Sequence, residues 1–247
     1  DVLGGTGNIA LGSGAMGVAL TTGTDNVAIG ENALDAVTTG TDNTAVGDNA
    51  LGANTTAVNN IGIGSGAGLA LTTGGYNVAV GTNALKTVTT ATANTAVGER
   101  ALEDNTGEQN TAVGAHVLRE NTTAGNNTGL GYFALGANTS GTDNVAAGSN
   151  ALDANTTGSD NTAVGDNALG ANTTTNNNVA IGSGALLVST AADNTAVGTT
   201  AMTANTTGTD NTAVGYAALD ANTTGTDNTA IGDNALGASQ TSSANTA

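Results

Sequence analysis

Seven aspartates stand directly before copies of one pentapeptide, Asn-Thr-Ala-Val-Gly or a close variant of it. Ca²⁺ binds carboxylate oxygens, and carboxylates on neighbouring copies would repel one another unless water or a cation lies between them. The pattern therefore predicts a row of candidate calcium ligands. The alternative interpretation is that Asp before Asn caps a turn through side-chain hydrogen bonds to the backbone. The seven residues are Asp25, Asp42, Asp143, Asp160, Asp193, Asp210 and Asp227.

A second group of residues matches the N-glycosylation pattern Asn-X-Ser/Thr. If the protein meets a glycosylation machinery, these asparagines would carry sugars along one edge of the repeats. Asn-Thr-Thr is also favourable turn chemistry, which is the alternative interpretation. The residues are Asn54, Asn121, Asn126, Asn138, Asn155, Asn172, Asn205 and Asn222.

Residue types that enzymes use for catalysis are scarce in this sequence. The chain has one histidine, His116, and no cysteine, so it cannot form a conventional zinc site. His116 replaces the asparagine usual at its place in the repeat, and we interpret it as a surface substitution. The nucleophile-elbow and P-loop patterns are absent from the sequence. We therefore predict no enzymatic activity, no catalytic residue and no cofactor apart from the candidate Ca²⁺.

The charge balance excludes several kinds of partner. Twenty acidic residues stand against Lys86, Arg100 and Arg119, which gives a formal net charge of −17. Nucleic-acid binding depends on clustered Lys and Arg, and so does attraction to anionic lipid surfaces, so neither partner is expected. The sequence also lacks an apolar run of about 18 residues, so we predict no membrane insertion. The absence of cysteine is compatible with an extracellular protein without disulfides.

One repeat covers the whole chain and must position all of these residues. Counting the opening Asn of the pentapeptide as position 1, the spacing is mostly 17 residues, once 18 and twice 16. We interpret residues 1–247 as one repeat domain with partial copies at both ends. The repeats begin at Asn8, Asn26, Asn43, Asn60, Asn77, Asn94, Asn110, Asn127, Asn144, Asn161, Asn178, Asn194, Asn211 and Asn228.

The pattern inside the repeat is typical of a short β-strand. Position 2 is Ile, Val or Thr, position 3 is Ala or Gly, and position 4 is apolar, so large and small side chains alternate. We expect the position 4 side chain to be buried between coils and the small face to pack against neighbouring chains. Gly at position 5 indicates a positive φ or a close backbone approach. The later Ala-Leu pair, as in Ala50-Leu51, predicts a second strand, and Thr-Thr-Gly-Thr-Asp predicts a turn.

Together these patterns predict an all-β protein, a parallel β-solenoid or β-roll of about fourteen coils, one per repeat. A helix is disfavoured because Gly and Thr are poor helix formers and no stripe of period 3.6 is present. Each coil would bury its apolar residues against the coils above and below it. Identical residues then form ladders, including hydrogen-bonded ladders of Asn.

The stretches Asn26-Val27-Ala28-Ile29-Gly30 and Asn178-Val179-Ala180-Ile181-Gly182 resemble the head repeats of YadA-type trimeric autotransporter adhesins, and similar repeats in fibrous surface and tail-fibre proteins. The resemblance implies a left-handed β-roll, association of three chains, and attachment to host surfaces. The unit here is longer than in that family, with an added Asn-Thr-Thr-Gly segment. The sequence contains nothing similar to the family's neck, stalk or membrane anchor.

The two ends suggest how chains assemble. Residues 1–7 resemble the second half of a repeat, and Asn245-Thr246-Ala247 resembles its opening. An open β-end is a template for another chain, and a head-to-tail interface that does not close produces filaments. We therefore expect a non-enzymatic structural subunit of an extracellular filament or surface fibre, built by end-to-end stacking. The alternatives are a trimeric adhesin head or tail-fibre segment that binds a surface or glycan ligand, and, with less support, an ice-binding solenoid.

Overall fold

A computed structural model describes residues 5–17 and 20–247, and no helix occurs in those ranges. The chain forms two compact units, of which the first ends at Ala124 and the second is Gly125–Ala247. Of the predicted partial first copy, residues 1–4 lie outside the described residues. The strands of the first unit are β1 Ile9–Leu11, β2 Val27–Ile29, β3 Thr44–Val46, β4 Ile61–Ile63, β5 Val78–Val80, β6 Thr95–Val97 and β7 Thr111–Val113. The strands of the second unit are β8 Thr128–Leu130, β9 Val145–Ala147, β10 Thr162–Val164, β11 Val179–Ile181, β12 Thr195–Val197, β13 Thr212–Val214 and β14 Thr229–Ile231.

Consecutive strands within each unit pair in parallel, and every residue faces the same position of the next repeat. Ala45 pairs with Gly62 in the first unit, and Ala163 pairs with Ala180 in the second. Each repeat is therefore one coil of a parallel β-solenoid, which confirms the predicted fold class. The last three residues continue the stack, because Thr246 forms a parallel bridge with Thr229.

The interior of a coil is lined by small residues from the strand and, in most coils, by leucine from the segment that follows it. Ala45, Ala50 and Leu51 show this in one coil, since all three side chains are buried. The expectation for the two faces of the strand was wrong. The small residue of position 3, Ala or Gly, faces into the coil, and the larger side chains of positions 2 and 4 point outward. The small face is therefore unavailable for packing against another chain.

The Ala-Leu segment is a turn, so the prediction of a second strand was also wrong. Leu51 has a φ of 49°, and the corresponding Leu169 has a φ of 52°. This left-handed backbone conformation is uncommon for residues other than Gly, Asn or Asp. Because the turn carries Leu into the centre of the coil, its burial offsets the backbone strain, which costs about 1–2 kcal/mol per residue.

The glycine at position 5 meets both conditions predicted for it. Gly165 has a φ of 131°, and a Cβ added to it would lie 2.6 Å from the carbonyl carbon and oxygen of Gly182 in the next coil. Gly47 has the same relation to Gly64, with a distance of 2.7 Å. Only glycine fits at this corner, because both the backbone conformation and the neighbouring coil exclude a side chain.

Candidate functional site

The opening asparagines form a buried hydrogen-bonded ladder in each unit. In the first unit, the Asn43 Nδ2 donates to Asn26 Oδ1 at 3.0 Å and to the Ala57 carbonyl oxygen at 2.8 Å. The Oδ1 of Asn43 accepts from the backbone N–H of Asn60 at 3.0 Å. The predicted Asn ladder is therefore confirmed, and its amides join each coil to the coils before and after it.

Most asparagines at position 12 form a second buried ladder, and seven of the eight candidate glycosylation residues stand at this position. Asn155 Nδ2 donates to Asn138 Oδ1 and to the Gly158 carbonyl oxygen, both at 2.9 Å. An N-linked sugar attaches to this same nitrogen, so the folded coil does not present these amides for glycosylation. The candidates at this position have fully buried side chains, and their glycosylation stays a prediction: Asn54, Asn121, Asn138, Asn155, Asn172, Asn205 and Asn222.

Asn126, the eighth candidate, lies at the last position of its repeat and has an exposed side chain. Its φ of 61° places it in the same left-handed turn as the aspartates. One sequence signal distinguishes the two groups. The other seven asparagines all stand at position 12, with the regular recurrence that also marks the ladder at position 1.

The seven predicted aspartates lie where the sequence placed them, at exposed turns that precede the strands. Their backbone N–H groups bond to the preceding coil, as Asp160 does to the Thr142 carbonyl oxygen at 3.1 Å. The carboxylate of Asp227 accepts a hydrogen bond from Thr226 Oγ1 at 2.9 Å. Ca²⁺ needs six to eight oxygen ligands. Within residues 5–17 and 20–247, no three His, Cys, Asp or Glu side chains are gathered closely enough to hold a metal ion. Calcium binding stays a prediction for Asp25, Asp42, Asp143, Asp160, Asp193, Asp210 and Asp227.

The outward side chains of the strands form an exposed apolar surface that the sequence interpretation missed. We call the outward residues of positions 2 and 4 the outer strand face. In the second unit Val164 is 37% exposed and Ile181 is 40% exposed. Exposed apolar surface of this regularity is typical of an interaction site. Its large exposed members are Ile9, Leu11, Ile29, Ile61, Ile63 and Val113 in the first unit, and Leu130, Val145, Val164, Ile181, Val214 and Ile231 in the second.

The three basic side chains all contact glutamates in the first unit. Lys86 Nζ lies 3.9 Å from a carboxylate oxygen of Glu103, and Arg100 Nε lies 3.8 Å from the other oxygen of the same carboxylate. Arg119 pairs with Glu120. The basic groups are therefore engaged with acidic neighbours.

The coils, their ladders and their exposed outer faces define the class of the protein as a parallel β-solenoid. Comparison with protein-family models finds no match, and comparison with curated protein sequences finds none either. In the part of the chain that the structure describes, no helix has the length and hydropathy needed to cross a membrane.

Proposed function

We propose that the chain is a non-enzymatic structural subunit of an extracellular fibre, whose chains assemble by end-to-end stacking of coils. The observation that carries the proposal is that a coil is complementary to a copy of itself. Asn144 donates from its backbone N–H and its Nδ2 to Asn127 Oδ1, and Asn161 donates in the same way to Asn144 Oδ1. A coil of a second chain offers these same groups, so stacking between chains repeats the contacts found within one.

The outer strand face favours a second candidate, a trimeric adhesin head or tail-fibre segment. In this proposal, copies of the chain associate side by side and bury side chains such as Val164, Ile181 and Val214, which are 36–40% exposed in one chain. The resemblance of the repeats to YadA-type heads supports this arrangement. The surface or glycan ligand would then be bound by the sides that remain outside the trimer.

Electron microscopy combined with sedimentation analysis tests both candidates. The informative variant is Val164→Lys with Ile181→Lys, which places charge on the outer strand face without entering the buried core. If end-to-end stacking is the main contact, filaments form in the original protein and in the variant. If lateral association is the main contact, discrete particles form, and the double variant sediments as single chains.

A second variant isolates the stacking contact. Asn245 Nδ2 donates to Asn228 Oδ1 at 2.8 Å, and its own Oδ1 would receive the next coil. We expect Asn245→Leu to shorten filaments strongly while the thermal unfolding of the single chain changes little, because Asn245 is only partly buried. Isolated monomers at every concentration of the original protein would contradict both candidates.

A further inference from the structure

Two of the three tyrosines of the chain lie on one edge of the second unit. Both occupy position 6, directly after the glycine corner of their coils. Backbone hydrogen bonds stack this position from coil to coil: Asn150 N donates to the Tyr132 carbonyl oxygen and Asn234 N to that of Tyr216, both at 2.9 Å. We call the stacked residues the tyrosine edge, which consists of Tyr132, Ser149, Asp166, Ser183, Thr199 and Tyr216.

The rings on this edge lie largely outside the core of the coil. Tyr132 is 56% exposed and Tyr216 is 60% exposed, in a chain with only four aromatic residues. The Tyr132 ring centroid lies 6.2 Å from that of Phe133, whose ring covers Gly136. Aromatic rings combine a large apolar surface with a polar hydroxyl group, which suits a partner that is apolar on its faces and polar at its rim. A sugar ring has this character.

The residues between the tyrosines are polar and evenly spaced. Ser149, Asp166, Ser183 and Thr199 offer hydroxyl and carboxylate groups, and the last three side chains are exposed. With one coil per strand spacing of about 4.8 Å, the five steps from Tyr132 to Tyr216 cover about 24 Å. A single sugar cannot reach both rings, whereas an extended chain of sugars can stack on the rings and bond to the groups between them.

The charge of the second unit restricts the kind of chain. Residues 125–247 contain nine aspartates and no Lys, Arg, His or Glu, and Asp166 lies on the edge itself. An anionic polysaccharide would be repelled by this surface. We propose that the tyrosine edge of the second unit binds an extended neutral polysaccharide. This role goes beyond that of a fibre subunit and does not depend on it.

The test uses the full chain in affinity electrophoresis with hydroxyethylcellulose or mixed-linkage β-glucan as neutral probes and alginate as the anionic probe. The variant is Tyr132→Ser with Tyr216→Ser. The matched control is Tyr76→Ser, because Tyr76 is 65% exposed but lies in the first unit at position 17, away from position 6. All three substitutions affect exposed residues, and circular dichroism with thermal unfolding verifies that each variant is folded.

We expect the original chain to be retarded by at least one neutral probe and not by alginate. The double variant should lose affinity by about tenfold or more, because two stacking surfaces are removed, and Tyr76→Ser should retain it. Since the chain has no tryptophan, the change in tyrosine fluorescence on binding gives a second readout. Lack of retardation by both neutral probes would overturn the proposal. So would an unchanged double variant, or an equal loss in Tyr76→Ser.

Discussion

Position 12 of the repeat is filled differently in the two units. In the first unit it holds asparagines in some coils and the apolar residues Val37, Leu71 and Val88 in others, and these three apolar side chains are fully buried. In the second unit the same position holds polar residues throughout, such as Asn138, Asn155 and Asn172, which are equally buried. The same strand pairing surrounds both, so the coil accepts either an apolar contact or a hydrogen bond at this place.

Asn54 shows that a single asparagine at position 12 is unfavourable when both neighbouring coils carry apolar residues there. It stands in the first unit between coils that carry Val37 and Leu71 at the same position. Its Oδ1 accepts from the Ala57 N–H at 3.2 Å, but its buried Nδ2 has no hydrogen-bond partner. An unpaired buried donor costs about 1–3 kcal/mol. An amide ladder therefore stabilises the coil only where neighbouring coils also carry partners for it.

The largest effect should come from a position at which the two units do not differ. We expect Gly47→Ala in the first unit and Gly165→Ala in the second to destabilise each by about 4 kcal/mol or more, because the added Cβ collides with the next coil. Urea unfolding followed by circular dichroism measures both. The control is Gly232→Ala, whose Cβ would meet only the Ala235 Cβ at 3.9 Å. A control as damaging as the other two would show that backbone conformation, not collision, sets the cost.

Asn155→Leu should break the polar ladder of the second unit. The substitution removes the acceptor of Asn172 Nδ2, which lies 3.1 Å away, and the donor to Asn138 Oδ1. We expect a loss of about 3 kcal/mol, since two buried polar groups lose partners. Chemical unfolding gives the value. A neutral effect would mean that the ladder adds nothing beyond packing.

Asn54→Leu should stabilise the first unit, whereas Asn155→Leu should destabilise the second. The substitution removes the unpaired Nδ2 and joins two apolar neighbours, at the loss of one hydrogen bond to Ala57. We expect a gain of about 1–2 kcal/mol in the free energy of unfolding. Both variants should be measured under the same conditions. If Asn54→Leu destabilises the protein as much as Asn155→Leu does, the proposed difference between the units is wrong.

The smallest effect should come from Asp153→Asn in the second unit. Burial raises the pKa of this carboxyl above its ordinary value of 3.8, against the opposing effect of backbone hydrogen bonds. A folded-state pKa above the unfolded value means that stability is full at low pH and falls as pH rises through the folded pKa. The variant should therefore be slightly more stable near pH 7 and no more stable below the ordinary pKa. Thermal unfolding of both proteins across this pH range tests the prediction. If the stability of Asp153→Asn relative to the original chain increased as the pH fell, the raised pKa of Asp153 would be contradicted.

The sequence was sufficient to predict the elements that depend on recurrence. Regular spacing predicted the strands, the parallel stack and the Asn43 ladder. It could not decide which face of the strand points inward, since alternation is the same for both choices. The space inside the coil decides this. A Cβ added to Gly62 would lie 2.8 Å from Leu51 Cγ, so only the smallest residues fit there.

The candidate site was harder to predict for a related reason. The sequence Asn-Thr-Thr is typical of an exposed turn. Nothing in these three residues indicates that the Asn155 side chain points inward and bonds to Asn138, the corresponding asparagine of the adjacent coil. The turn at Leu51 was not predicted, because leucine rarely adopts the left-handed backbone conformation. Burial of the Leu51 side chain in the coil stabilises that conformation here.

The buried asparagine ladder has a consequence for chemical ageing. Asparagine deamidates when the backbone nitrogen of the following residue attacks its side-chain carbonyl, and it is one of the heat-sensitive residues of proteins. At Asn43 that nitrogen belongs to Thr44 and is held by a 2.8 Å hydrogen bond to the Asn60 carbonyl oxygen, while the Asn43 amide is bonded on both sides. We expect mass spectrometry of stored protein to find the ladder asparagines intact and deamidation concentrated at exposed residues such as Asn126. The stack of coils would then preserve its own amides for as long as it stays folded.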